Sequence, residues 1–410
     1  MRWFVFLIVF LSFYLFRLWQ TSLSLIKNLP PGVSLKVTAR VSQQPYLSAS
    51  KQIIRLGQFL VVTEPFPEYF YGQKLEIIGK PTVMLINKFQ KSFVFNYPTI
   101  HVVSEEESLI NQRKLVKGIL FFRQRLEKTF SSVLPEPQAS LISGIVLGAK
   151  KQMPAKFTQN LRKTGTIHLV VASGYNITVI AGLLIVFLTK FIRRQYALVI
   201  SFLGILIYTL MAGGEPPIVR AAIMGSLTYL AQFLGREKDA LRALIFSAGV
   251  MLLINPLIYF DRGFQLSFLA TGGILLIGPC LKGKIFNIPA AGENLKTTLG
   301  AQMGVLPVLL ANFGQISLFS PLVNLLVLPF IPLLMILGLI ILFFGLFCHS
   351  FAQIASWFAW VPLTLMIKII DFFARIPWGV IKTENFPLWL EIGYYLILGI
   401  FWYFSKKRKK

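Results

Sequence analysis

Residues 162–183 read R-K-T-G-T-I-H-L-V-V-A-S-G-Y-N-I-T-V-I-A-G-L. Two cations and a Thr-Gly-Thr open the stretch. From Ile167 it runs apolar as far as Leu188, long enough to cross a bilayer. Inside that run sit His168, Ser173, Asn176 and Thr178. Hydrocarbon offers no hydrogen bonds, so each of these side chains needs a partner or a wet cavity. A segment that only anchored would do without them. The Ser173-Gly174 pair suits a helix break that lends backbone to a cavity. An imidazole such as His168 changes charge near neutral pH and is suited to gating or proton transfer. A hydrolytic pairing of Ser173 with His168 is disfavoured: their spacing puts them on different helix faces, and no carboxylate is nearby.

The composition agrees with a membrane setting. Of 410 residues, 55% are hydrophobic and 14% charged, against about 25% charged in soluble domains. Two cysteines, Cys280 and Cys348, build no disulfide framework, and the three histidines are too scattered for a metal site. No cofactor motif is present. The net charge of +25 has two readings. Cations gather in cytoplasmic loops for topological reasons, or they meet a polyanion such as nucleic acid.

N-terminal to the quoted stretch, residues 1–26 read as an uncleaved membrane anchor, with no clear cleavage site after the apolar run. Residues 27–108 turn polar and β-rich. Runs at 34–41, 53–62, 74–79, 82–86 and 93–103 suggest about five strands separated by Pro and Gly turns. Five strands fit a small OB-like β-barrel, a fold that often binds single-stranded nucleic acid. Lys36, Arg40, Lys51, Arg55 and Lys74 are its candidate DNA-binding cations. The plain alternative is a solvated basic face. Residues 109–137 form a basic amphipathic helix and linker, ended by Pro135 and Pro137, suited to a membrane surface.

Residues 138–405 read as the transmembrane domain, with 138–149 too short to span. The spans predicted are 166–189, 196–212, 217–234, 240–258, 263–281, 297–313, one or two within 318–347 (a single one, bent by Pro329 and Pro332, closes the parity), 350–371 and 387–404. The fold class is thus a polytopic α-helical membrane protein of about 9–11 segments with a small extracytoplasmic β domain. Loop charge places Lys190, Arg193, Arg194, Lys282 and Lys284 inside, with the basic tail 406–410. The β domain then lies outside, where that rule does not account for its cations.

Polar residues recur within the spans. Arg220 follows Pro216-Pro217 by one turn; it either snorkels to the interface or faces inward as a cation for phosphate. Asp261 and Gln265 share a helix face, and Asp261 is also placed to cap a helix. Gln302 and Asn312, with Gln315, Ser317 and Asn324, are either interhelical glue or a lining of neutral donors and acceptors.

Together these motifs resemble the ComEC family of competence proteins. The quoted stretch is similar to the family's Gly-x-x-His-Leu…Ser-Gly core. P-P-I-V-R-A-A-I-M around Arg220, D-R-G-F-Q-L-S-F at 261–268, Q-M-G-V-L-P at 302–307, N-F-G-Q-I-S at 312–317 and N-L-L-V-L-P at 324–329 follow in the same order. F-Y-G-Q-K-L-E-I-I-G at 70–79 resembles part of the family's extracytoplasmic OB-like domain. Two features depart from the pattern: Tyr175-Asn176 stands where the family usually has Leu-His, and the metallo-β-lactamase-like histidine cluster of many members is missing.

The resemblance implies a channel in the bacterial cell membrane that passes single-stranded DNA to the cytoplasm. Its path would be lined by His168, Ser173, Asn176, Arg220, Asp261, Gln265, Gln302 and Asn312. It implies that the chain is not an enzyme. No phosphate-binding Gly-Lys-Ser/Thr loop is present, so a cytoplasmic ATP-driven translocase, a DNA receptor and a separate nuclease are the expected partners, with a homodimer as one assembly. A permease for a small anionic solute, a membrane-embedded enzyme and a poreless DNA-receptor scaffold are the rival readings.

Overall fold

The structure is a computed structural model. It describes residues 11–18, 34–41, 45–48, 51–56, 59–67, 69, 73–87, 90–103, 110–149, 153–170, 174–237, 239–289, 291–383 and 386–407. Two compact units divide the chain. The first draws on 1–125, 150–152 and 249–261, the second on 126–149, 153–248 and 262–410.

The first unit contains helix α1 (residues 11–18) and eight strands. These are β1 (Leu35–Arg40), β2 (Tyr46–Ser48), β3 (Lys51–Leu56), β4 (Phe59–Thr63), β5 (Lys74–Gly79), β6 (Pro81–Asn87), β7 (Gln90–Asn96) and β8 (Thr99–Val102). One sheet has the order β1-β5-β8, the other β2-β3-β4-β7-β6. All pairings are antiparallel except β4 with β7. Alternation buries one face of β3, β4 and β5. Ile54, Leu56, Val61, Phe93 and Phe95 of one sheet join Leu75 and Ile77 of the other in a single core. Among the described residues the two sheets share that core without closing into one barrel.

Eight strands stand where five were expected, for local reasons. Leu56 pairs with Phe59 across a hairpin, so the run 53–62 is two strands. Tyr97 takes a left-handed backbone (φ 50°), and Pro98 has no N–H to donate, so the run 93–103 also divides. Its halves enter different sheets.

Within the same unit α1 meets residues 253–256. Tyr14 donates to Pro256 O (3.3 Å), and Arg17 donates to Leu253 O (3.4 Å) and Ile254 O (3.3 Å). Helix α9 ends at Ile254 because Asn255 caps the next turn and Pro256 follows. Its last carbonyls lack helical donors, and Arg17 supplies them.

Helix α2 (Ile110–Val133) runs between the units in sequence. The second unit contains α3 (Gln138–Leu147), α4 (Ala155–Lys163), α5 (Ile167–Val170), α6 (Gly174–Leu188), α7 (Arg194–Met211), α8 (Pro216–Phe233) and most of α9 (Ala240–Ile254). There follow α10 (Arg262–Leu276), α11 (Ala291–Phe313), strand β9 (Gln315–Ser317), α12 (Ser320–Val327), α13 (Phe330–Phe347), α14 (His349–Ala374), strand β10 (Val380–Lys382) and α15 (Leu388–Lys407). The segment too short to span is α3. It is buried throughout, with Leu141, Ile142 and Ile145 packed among Val323, Leu334, Met335, Leu363 and Met366. The crossing expected within 318–347 is two helices, short α12 and long α13, parted at Leu328-Pro329.

Among the described residues five stretches are long and apolar enough to cross a membrane: 167–188, α7, Arg262–Cys280, α13 and α14. Their outer faces expose large apolar side chains, among them Phe187, Phe343, Trp357 and Phe358. Water would not tolerate so continuous an apolar surface, so these helices point to a membrane protein.

Pro307 stands inside α11 and removes the N–H that would reach Met303 O. Tyr394 of α15 donates to Met303 O (2.9 Å) and Tyr395 to Gly304 O (3.0 Å), filling the gap at the proline. Tyr394→Phe should therefore cost about 1 kcal/mol of stability. A lowered melting temperature in detergent, set against an unchanged Tyr403→Phe control, would check this.

Candidate functional site

The site is built around the quoted stretch. Helix α4 ends in a tight turn: Gly165 has φ 70°, and Thr166 N returns to Leu161 O (2.9 Å). The Thr164 and Thr166 hydroxyls bond each other at 2.8 Å. His168 Nδ1 lies 2.9 Å from Gly165 O, and since a carbonyl only accepts, that nitrogen carries the hydrogen. His168 is exposed, at the start of α5. Ser173 lies outside the described residues. Gly174 belongs to α6.

Gly174 faces Arg220 of α8. A Cβ at position 174 would come within 2.7 Å of Arg220 Nη2 and 3.1 Å of the Ala221 Cβ. Glycine is what lets the guanidinium approach the α6 backbone. The Arg220 Nε is fully enclosed and has no acceptor, and no carboxylate among the described residues pairs with the group. Burying a charge without a partner is costly.

The first half of the stretch meets a second polar group. A Cβ on Gly165 would lie 2.8 Å from Ser320 Oγ and 3.3 Å from Ser317 Cβ. Gln302 Nε2 reaches Ser317 O at 3.4 Å, and Asn324 Nδ2 reaches Ser320 Oγ at 3.4 Å. Gln302 Oε1, Ser317 Oγ and Asn324 Oδ1 are buried without partners. Such groups call for water or another polar occupant.

Other residues chosen from the sequence are used differently. Asn176 is 1% exposed and donates to Ile145 O of α3 (2.9 Å), so it ties two helices together. Asn312 donates to Val308 O within its own helix. Asp261 directly precedes α10 and Gln265 sits one turn on; both are half-buried and hydrogen-bonded or charge-paired. Ser320 and the buried unpaired hydroxyls of Ser201 and Ser267 were missed. Their only sequence signal is a serine at an apolar-face position.

The five outer cations do not converge. Lys36, Arg40 and Lys74 share the outer face of the three-stranded sheet, where Lys36 pairs with Glu76 at 2.8 Å. Lys51 and Arg55 stand on the outer face of the five-stranded sheet. An open cleft of about 350 Å³ is lined by Cys280, Leu281, Lys282, Phe286, Phe401 and Ser405, none of them a candidate residue. The described residues contain no cluster of His, Cys, Asp or Glu able to hold a metal ion.

A helical membrane protein with unpaired polar groups among its helices is the class these features define. The chain belongs to the competence protein family, whose sequence pattern matches residues 145–408. It is 28% identical to ComE operon protein 3 of Bacillus subtilis over 52% of this chain and 27% of that protein. It is 26% identical to an uncharacterised Aquifex aeolicus protein over 72% of this chain and 64% of the other. It is 24% identical to Recombination protein 2 of Haemophilus influenzae over 63% of this chain and 33% of that protein. The chain thus spans between about a quarter and two thirds of the length of these relatives. No solved structure matches it.

Proposed function

We propose that the chain forms a membrane channel through which single-stranded DNA enters the cytoplasm during competence. The observation that carries the reading is Arg220, an unpaired guanidinium enclosed at Nε and held against Gly174 of α6. A phosphodiester passing there would meet one cation. One such contact is enough to lower the barrier without trapping the strand, because each added phosphate contact tightens binding. The Gln302–Ser317–Asn324 group, with His168 at the neighbouring turn, offers further neutral, hydratable contacts. Membership of the competence family and the name of the Haemophilus relative support a nucleic-acid role.

In this reading the β-rich unit is an OB-like domain outside the membrane that gathers the strand, and the basic tail 406–410 is cytoplasmic. A DNA receptor, a nuclease on another chain and an ATP-driven translocase complete the machine. A photo-crosslinking residue in place of Tyr175, next to Gly174, should capture transforming DNA in competent cells. The same residue at lipid-facing Phe202 should not. Equal capture at both positions, or at neither, would remove the path from the neighbourhood of Gly174.

A further inference from the structure

The cations that sequence inspection selects in the β-rich unit are divided between two sheets, but one strand end gathers a different set. Strands β4 and β7 run parallel, with Val62 paired to Asn96. Their ends therefore leave the sheet side by side, and Tyr97 N bonds Val62 O at 2.8 Å. Strand β3 is antiparallel to β4, and Gln52 opposite Thr63 brings Lys51 to that same end. Lys51 Nζ sits over the Tyr97 ring, 5.3 Å from its centre. Phe66 leaves β4 three residues beyond Thr63 and is 73% exposed; Tyr97 is 52% exposed.

Neither aromatic is a stray surface residue. The loop that carries Phe66 is fixed from below: the buried Gln52 amide, oriented to suit its neighbours, donates to Pro67 O (3.3 Å) and accepts from Tyr69 N (3.1 Å). Tyr69 itself is buried in the core. Tyr97 keeps a left-handed backbone (φ 50°), where glycine or asparagine would be less strained. The fold gains little from an exposed ring at such a position. Strain of this kind, retained at a surface, marks a functional contact.

We infer that Lys51, Phe66 and Tyr97 form a stacking platform for the bases of an unpaired nucleic-acid strand, an inference that rests on the DNA reading above. Flat rings held on a fixed loop and strand end match the planar faces of bases, which stack regardless of sequence. Glu64, two residues before Phe66, is exposed and adds a negative charge to this loop. The platform therefore takes bases through stacking, while the Lys36, Arg40 and Lys74 face is the one suited to phosphate.

The test is fluorescence anisotropy of a labelled oligothymidylate with the full chain in detergent, across a salt series. Phe66→Ser and Tyr97→Asn should each weaken binding about five- to tenfold and together more, with the salt dependence unchanged. Tyr97→Asn suits the left-handed backbone, so its melting temperature should hold. Lys36→Gln with Lys74→Gln should instead flatten the salt dependence. Undiminished affinity in the double aromatic variant would overturn the platform alone. So would a double variant that loses retention on lipid vesicles and keeps its DNA affinity. Absence of binding by the unsubstituted chain would remove the DNA reading and the platform with it.

Discussion

Arg220→Met is expected to lower DNA uptake about a hundredfold and to raise the melting temperature of the protein. Each half follows from the same geometry. The guanidinium is enclosed at Nε, has no carboxylate partner among the described residues, and lies against Gly174 of α6. Desolvating a charge without pairing it costs several kcal/mol even after relaxation. Methionine fills a similar volume with no charge and adapts to the cavity. The replacement should gain about 1–3 kcal/mol, a shift of a few degrees in detergent.

Transport should respond oppositely. Loss of one charge-assisted contact to a phosphate in a low-dielectric path removes about 3 kcal/mol of stabilisation, roughly a hundredfold in rate. Arg220→Lys keeps the charge and should retain part of the activity, though a compact ammonium reaches less far and makes fewer bonds. Transformation frequency and membrane accumulation, measured together, separate the outcomes. Normal transformation by Arg220→Met cells would show that no phosphate depends on this cation. A fall in melting temperature would show that the guanidinium has a stabilising role in the fold.

The helical membrane class was readable because apolar runs of bilayer length have few alternatives. The number of strands was not. Tyr97 in a left-handed backbone and the Leu56–Phe59 hairpin lie inside β-branched and aromatic runs that read as continuous. The division of 318–347 at Leu328-Pro329 followed the proline, yet its signal did not separate a bent span from two helices. At the candidate site, Arg220 stood out as a lone cation in apolar sequence. Its contact with Gly174 joins two helices, and helical periodicity carries no information about which helices meet. Asn176 illustrates the reverse. A polar residue lining a path and one tying α6 to Ile145 O look the same in sequence, because both are amides on an apolar helix.

The largest effects on folding are expected where α10 and α11 cross, and a series of single methyl groups can test that. Gly300 and Gly304 stand four apart on α11, the spacing of small residues that lets helix backbones touch. Gly273 of α10 completes the contact. A Cβ at Gly273 would lie 2.1 Å from Gly300 O, and one at Gly304 would lie 2.3 Å from Leu269 O. Both neighbours are backbone, so no side chain can swing aside and the helices themselves must separate. In lipid that separation forfeits the van der Waals contact that holds helices together. Gly273→Ala and Gly304→Ala should each cost about 1–3 kcal/mol, and valine at either position should prevent accumulation in the membrane. At Gly300 the nearest atom would be 2.9 Å away, so alanine there should cost less. Gly272 is the control. It adjoins Gly273 on the same helix, yet a Cβ there would meet nothing within 4 Å. Gly272→Ala should therefore be neutral or stabilising by up to about 1 kcal/mol, the helix-propensity gain of alanine over glycine. Melting temperatures that fall in the order Gly272→Ala, Gly300→Ala, then Gly273→Ala and Gly304→Ala would establish the contact. Equal melting temperatures for Gly272→Ala and Gly273→Ala would mean that the two helices do not cross at these glycines.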